Sequence, residues 1–403
     1  MAPNRWVISR RGFVAGAGAL TLTGLAPGIV RGQGAPIVLG ILTPLTGAGG
    51  FDGPRMAKAL KAVMDEVNAA GGLLGRKVEL VVEDTETNPE TAVRAARKLI
   101  DVTKVPAIMG TWASAVTTAV APLCWESKTF LTTTSGADSI TKLPHQGYLI
   151  RTQPNNYLQA AKHAEFIASL GVKRCFIMSI QAPFSQPTQE RATEVLKQKG
   201  SEMVGALIYD KDKTTYRSEV DQALRTKPEM IYLNGYAPDV TILLRDLYRA
   251  GYTGGRFTQS YAMTTKVLES LPQEVTEGVI TVQPSADVGS PAYELEKKRL
   301  GLSDPDNYES AATDWASLVA LAIAKAKVAT GTGIRDNVRK ISQGSGTKVY
   351  SAVEGLKLLA QGKEINYEGA SGPCDFTDIG DIIDCKFRYN KVSGGKATFL
   401  KVA

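Results

Sequence analysis

From residue 37 onward, short apolar runs alternate with longer stretches in which apolar residues recur every three or four positions. The run over 37–42 predicts a buried strand, whereas over 54–68 Met56, Leu60, Val63, Met64 and Val67 fall at helical spacing. Pro54 suits the first turn of that helix, with Asp52 or Gly53 as its cap. Gly71-Gly72 ends it ahead of a second strand over 77–82, and the rhythm then predicts helices over 89–102 and 113–125 and strands over 107–110 and 129–133. A second series follows, with helices over 156–170, 187–199, 216–226 and 239–250 and strands over 174–179, 203–209, 230–234 and 256–259. Such alternation predicts parallel sheets covered by helices through right-handed crossovers, and two series predict two α/β lobes. The last third is less regular: a strand over 279–283, a long helix over 308–329, and a hairpin over 373–389 turning at Asp378-Ile379-Gly380-Asp381.

The length of 403 residues agrees with two lobes, since single cores stop growing near ~250–300 residues. The net charge of +7 points to an acidic partner only until it is located. Arg5, Arg10, Arg11 and Arg31 lie in the first 32 residues, which hold no acid; without them 43 basic residues face 40 acidic ones, and the case for nucleic acid disappears. His145 and His163 are the only histidines and no Cys-x-x-Cys pair exists, so the sequence favours neither a metal nor a redox centre. No Gly-x-Ser-x-Gly elbow occurs either. The expectation is a binding protein without a cofactor.

The uncharged stretch over 12–30 is only mildly apolar, which suits an export signal better than a permanent membrane helix. Ser9-Arg10-Arg11-Gly12-Phe13-Val14 resembles the twin-arginine export motif. Residues 1–32 are therefore expected to be a signal peptide, with cleavage after Gly32 leaving a soluble periplasmic chain that begins at Gln33. No cysteine precedes Cys124, which argues against a lipid-attached N-terminus. Cys374 and Cys385 lie symmetrically about the predicted 378–381 turn and would face each other across a two-residue hairpin. A disulfide there requires a non-hydrogen-bonded pair with Cα atoms within ~7 Å. Cys124 and Cys175 read as buried thiols.

The loop Thr46-Gly47-Ala48-Gly49-Gly50-Phe51-Asp52-Gly53 follows a strand and precedes a helix, as a dinucleotide loop does. Its spacing is Gly-x-Gly-x-x-x-Gly, it is too long for a tight turn, and the next strand-end acids, Glu83 and Asp84, come too late. Taken with Gly40, Pro44-Leu45-Thr46-Gly47, Asn68-Ala69-Ala70-Gly71-Gly72, Gly75-Arg76-Lys77-Val78 and Asn88-Pro89, the segment instead resembles the leucine/isoleucine/valine-binding family of periplasmic receptors for ABC importers. Gly110-Thr111-Trp112-Ala113-Ser114, Thr134-Ser135-Gly136-Ala137-Asp138, Arg151-Thr152-Gln153-Pro154 and the 308–326 stretch keep the same order, so the resemblance spans 36–403.

That resemblance implies two Rossmann-like lobes, 33–152 with 285–363 and 153–284 with 364–403, joined by three hinge crossovers around a ligand cleft. It implies a monomer that captures a small carboxylate-bearing solute, most simply a branched-chain amino acid, and hands it to a membrane permease. Ser114, at the start of a helix, matches the carboxylate-binding serine, its alternative role being a helix cap. Ser135 and Ala137 match residues whose backbone meets the amino-acid head group. Tyr236 matches an aromatic that closes over the ligand, and Gly235 before it permits close backbone approach. Trp112, Phe51 and Tyr157 are either apolar walls of the cleft or core. Where leucine-binding members place a glutamate against the ligand's ammonium, this chain has Tyr261. A buried ammonium without a countercharge is costly, so either another acid serves or the ligand has no amine. Asp52 is the leading substitute, its other role being the cap of the Pro54 helix; Asp287 is a weaker one. An aromatic or aliphatic acid is the ligand that follows if Asp52 is only a cap. A sensor subunit and an exported cofactor-containing enzyme are the alternatives.

Overall fold

The computed structural model describes residues 34–403; the twin-arginine motif, the uncharged stretch and the expected cleavage after Gly32 lie outside the described residues. Ile37–Thr43 and Val78–Asp84 pair in parallel from Ile37 opposite Val78 to Thr43 opposite Asp84. Ala107–Met109, Phe130–Thr133 and Leu149–Arg151 complete a five-stranded parallel sheet on the other side of Ile37–Thr43. All three added strands are buried throughout, as strands covered by helices on both faces must be.

The second sheet has seven strands in the spatial order Lys396–Val402, Phe387–Ser393, Ile280–Pro284, Gly255–Gln259, Met230–Asn234, Arg174–Ile180 and Glu202–Tyr209. Its core pairs in parallel, while Phe387–Ser393 runs antiparallel to both of its neighbours. Two lobes, each built on its own sheet, are thus what the alternating pattern forms.

The long helix Asn307–Ala326 packs on Gly53–Ala69, Gly331–Asn337 and Ala352–Ala360, so the chain returns to the first sheet after Ile280–Pro284 before rejoining the second at Phe387. Every residue of it from Asn307 to Ile323 is buried except Tyr308, and alanines and serines at this density let neighbouring helices approach closely. Asp306 caps it by accepting the Tyr308 and Glu309 N–H groups at 2.9 and 3.0 Å, and Glu309 returns a bond to the Asp306 N–H at 3.0 Å. The helix ends at Ala326, three residues before the expected 329, and Lys327 after it has a φ of +56°.

Two expectations fail together. Residues 373–389 do not form a hairpin; only the isolated bridge between Phe376 and Ile382 spans the turn. That register sets Cys374 opposite Asp384 and one residue out of step with Cys385, and both thiols are free. Cys374 Sγ points at the Gly372 carbonyl at 3.8 Å and Cys385 Sγ at the Lys386 carbonyl at 3.0 Å. The true hairpin lies further on, where Gly394-Gly395, both at positive φ, join Phe387–Ser393 to Lys396–Val402. Cys124 and Cys175 are buried, and burial pushes both thiols up to about 12.

The glycine-rich loop is tied down rather than opened to a phosphate. Asp84 accepts the Leu45 N–H at 2.8 Å and the Thr46 hydroxyl at 2.7 Å, and Thr87 accepts the Gly49 N–H at 3.0 Å. Among the described residues no single helix is long and apolar enough to cross a membrane.

Candidate functional site

Between the two sheets lies a chamber of about 40 Å³. The 107–153 segment and the long helix contribute Trp112, Ser114, Thr134, Gly136, Gln153 and Tyr308; the other side contributes Asn156, Gln159, Phe184, Tyr236, Gln259 and Tyr261. No charged side chain is among them.

Ser114 is the first residue of the helix Ser114–Glu126, and Ala113 holds the cap position, so the serine is not a helix cap. The first backbone bond of the helix runs from Thr117 N–H to Ala113 C=O, which leaves the N–H groups of Ser114, Ala115 and Val116 without an acceptor in the helix. The Ser114 hydroxyl oxygen accepts the Ala137 N–H at 3.2 Å, so its own proton remains to be donated. Buried donors at a helix start suit a carboxylate.

Ser135 and Ala137 sit one layer behind the lining. The Ser135 hydroxyl meets the Trp112 carbonyl at 3.0 Å and Thr117 Oγ1 at 2.5 Å, and the carbonyls of Ser135 and Ala137 both accept from Arg151 Nη1, at 2.8 and 2.9 Å. Thr134 and Gly136 line the chamber instead. Gly136 has to be glycine: the Asn156 N–H bonds its carbonyl at 2.7 Å, and a Cβ there would lie 2.0 Å from Asn156 Oδ1.

Arg151 has no exposed surface. Burial lowers its pKa, and Asp381 opposes this through a bond from Arg151 Nε at 2.9 Å. Asp381 also accepts from Thr141 and Asn155, at 3.2 and 3.1 Å. The guanidinium therefore ties the Ser135–Ala137 backbone to the segment that approaches the last strands.

Four aromatic rings close round the chamber. Trp112 lies 5.3 Å from Tyr236, 5.5 Å from Tyr261 and 6.1 Å from Tyr308, and Tyr236 lies 5.9 Å from Tyr261. Phe184 supports Tyr236 edge-on at 5.9 Å. Tyr236 is placed by Gly235, where a Cβ would come within 2.1 Å of both Asp239 Oδ2 and the Tyr209 hydroxyl. Asp239 accepts the Tyr236 N–H, and burial pushes this carboxyl up to about 6 against the lowering effect of the Tyr209 hydroxyl. Two buried polar atoms in the lining, Trp112 Nε1 and Gln259 Oε1, have no hydrogen-bond partner.

Phe51 and Tyr157 stand apart from this chamber. Tyr157 is 55% exposed with its ring 4.1 Å from the Arg191 guanidinium, and Phe51 packs on Arg55 at 5.0 Å beside an outer groove it shares with Ala237 and Thr264. Asp52 is buried at the start of helix Gly53–Ala69 and makes no capping bond. Its nearest cation is Arg55, 3.9 Å away, and that guanidinium is already engaged by Asp306 at 2.6 Å and Glu309 at 2.9 Å. Burial, and then the charge of Asp306, push the Asp52 carboxyl well above its usual range. Three acids thus share one guanidinium next to Tyr308. Asp287 lies elsewhere, in a crevice with Cys385.

Gln153, Asn156, Gln159, Phe184, Gln259 and Tyr308 were not singled out as ligand contacts by sequence. Gln153 and Tyr308 lie inside stretches that carry the family resemblance; Phe184 and Gln259 have no local signal. The histidines are structural. His163 Nδ1 meets the Tyr232 hydroxyl at 2.7 Å among aromatic rings, and burial pushes it down to about 3; His145 bonds the Thr141 carbonyl at 3.2 Å. Among the described residues no group of three or more His, Cys, Asp or Glu side chains is arranged to hold a metal.

A family model described as periplasmic binding protein matches residues 36–378. The chain is 27% identical over 358 residues to the chemotactic signal transduction system substrate-binding protein BasB of Halobacterium salinarum, covering 85% of this chain and 84% of that protein. Among solved structures, the leucine-binding protein LivK of Thermotoga maritima superposes with a TM-score of 0.78 at 23% identity, over 91% of this chain and 98% of that one. A solute-binding protein of an ABC transporter from Rhodopseudomonas palustris, in complex with 3,4-dihydroxybenzoic acid, does so with a TM-score of 0.72 at 18% identity, over 92% and 97%. The likeness to both structures is one of fold, and both are binding proteins.

Proposed function

Because the chain belongs to the periplasmic binding protein family, whose members are solute-binding proteins rather than enzymes, we propose that it captures a small carboxylate-bearing solute, in the first instance an amino acid, and presents it to the membrane permease of an ABC importer. The lobes are assigned to 33–152 with 285–363 and to 153–284 with 364–403, and capture is a hinge closure of one on the other. The protein acts as a monomer, exported by the twin-arginine route to the periplasm.

The observation that carries this reading is Ser114: a free hydroxyl proton and unspent helix N–H groups at the wall of a chamber lined from both lobes. The carboxylate binds there and Tyr236 and Tyr261 close from the second lobe; Asp52, which stands outside the lining beside Tyr308, is the acid assigned as long-range countercharge to an amine whose hydrogen-bond partner is a lining residue. The same capture step serves a sensing receptor, and the chemotactic name of the Halobacterium salinarum relative favours that second reading.

Thermal-shift and calorimetric screening of the mature chain with amino acids and aromatic acids tests the proposal. A ligand at 100 times its Kd stabilises by ~2.7 kcal/mol. If neither these two classes nor the short hydroxy acids shift the melting point, the reading fails.

A further inference from the structure

The chamber is small for the solutes considered so far. About 40 Å³ compares with about 150 Å³ for a protein cavity that accepts benzene. Held within this chamber, rather than in the adjoining groove that Tyr236 shares with Ala113 and Ala115, a branched aliphatic chain or an aromatic ring would have to displace Trp112, Tyr236 or Tyr261, and these rings brace one another at 5.3 to 5.9 Å. Forcing extra methylenes into packed walls of this kind is unfavourable.

The polar lining narrows the chemistry further. Trp112 Nε1 is a buried donor without an acceptor, and Gln259 Oε1 is a buried acceptor without a donor. The Gln259 amide nitrogen is already spent on Asn234 Oδ1 at 3.0 Å and the Tyr232 hydroxyl at 3.3 Å, so the oxygen is the end of the amide left to bond a solute. A buried polar atom is costly while unpaired, so a solute that satisfies both atoms gains over one that satisfies one.

Resting on the capture reading above, we propose that the closed cleft selects a two- or three-carbon carboxylate that carries a hydrogen-bond donor on the carbon next to the carboxylate. The carboxylate accepts from Ser114 and Trp112, and the donor, a hydroxyl or an amine, meets Gln259 Oε1. The aromatic rings take the place that a longer side chain would occupy.

The test is isothermal titration of the wild-type mature chain with glycolate, lactate, glycine, alanine, propionate, leucine and benzoate. At least one of the first four is expected to bind about tenfold or more tighter than leucine and benzoate, the discrimination a tight pocket exerts over extra methylenes. The hydroxy acids and amino acids distinguish the two sources of the donor. Propionate, which lacks the donor, is expected to bind about tenfold or more weaker than the better of lactate and alanine. Leucine or benzoate binding as tightly as the short acids overturns the size selection and leaves the capture reading standing; propionate equal to lactate and alanine overturns the role of Gln259. No binding by any of the seven overturns the selection proposed here; the capture reading falls only if the wider screen of carboxylates also shows no binding. Tyr261→Ala, which removes one wall, is expected to raise the affinity for leucine relative to lactate; an unchanged ratio overturns the assignment of the aromatic rings as the size filter.

Discussion

Removing the Asp381 carboxylate leaves Arg151 as an uncompensated charge with no exposed surface. Asp381→Ala removes the acceptor of Arg151 Nε and of Asn155 and Thr141, while the guanidinium keeps only the Ser135 and Ala137 carbonyls and the Thr141 hydroxyl. Breaking a buried pair from one side costs about 3–5 kcal/mol, because the remaining charge stays desolvated. With a urea m-value near 3 kcal/mol/M, the denaturation midpoint should fall by about 1–1.7 M. The double variant Arg151→Met/Asp381→Leu removes both charges together and should recover much of that loss, since a well-packed apolar pair is often no worse than a buried ion pair. Calorimetric titration of the double variant with its ligand should nevertheless show weakened binding, because Arg151 Nη1 holds the backbone beside which Ser114 accepts the Ala137 N–H. A midpoint for Asp381→Ala within 0.3 M of wild type, roughly 1 kcal/mol at that m-value, would refute the reasoning.

Ser114→Ala deletes a hydroxyl expected to donate to a charged acceptor, so ligand affinity should fall by about 1.5–3 kcal/mol, read by calorimetry; the ligand-free protein should also lose about 1–3 kcal/mol of stability, because the buried Ala137 N–H is left without its acceptor. Asp52→Asn should weaken binding of an amino acid strongly and leave a hydroxy or aromatic acid nearly unaffected; equal effects on both would remove Asp52 as the countercharge. Glu296 is buried between Ser310 and Thr313, which donate to it at 2.6 and 2.7 Å, and burial pushes its carboxyl up to about 8. The folded pKa lies above the unfolded one, so the contribution is fully present below about pH 4.3 and is lost progressively as the pH rises to about 8. Glu296→Gln should therefore match wild type near pH 4 and exceed it at pH 8 by an amount on the order of a few kcal/mol, measured by urea denaturation at the two values.

Periodicity alone carried most of the architecture. Apolar spacing over 54–68 and 308–329 marks helices whose bounds the structure moves by one to three residues, because local bonding and one buried face decide them. The 373–389 hairpin failed for a related reason: turn residues and symmetric cysteines suggest a hairpin, but the register depends on what each strand finds to pair with, and Phe387–Ser393 pairs with Ile280–Pro284 instead. Gly394-Gly395 was a legible turn signal, flanked by two paired strands of 7 residues each.

The site divides in the same way. That a serine opens the helix after a strand, and that an aromatic follows Gly235, are local facts, and both are written in consecutive residues. Which neighbours of Ser135 line the cleft is not written there, and Thr134 and Gly136 take those places. Phe184, Gln259 and Tyr308 meet Trp112 or Tyr236 only because helices and strands far apart in sequence end at the same gap between two sheets. The volume of that gap is the least local property of all. It is what remains when rings from both lobes have packed on one another, and for that reason the sequence determined the kind of protein, while only the tertiary structure decided how much room its ligand has.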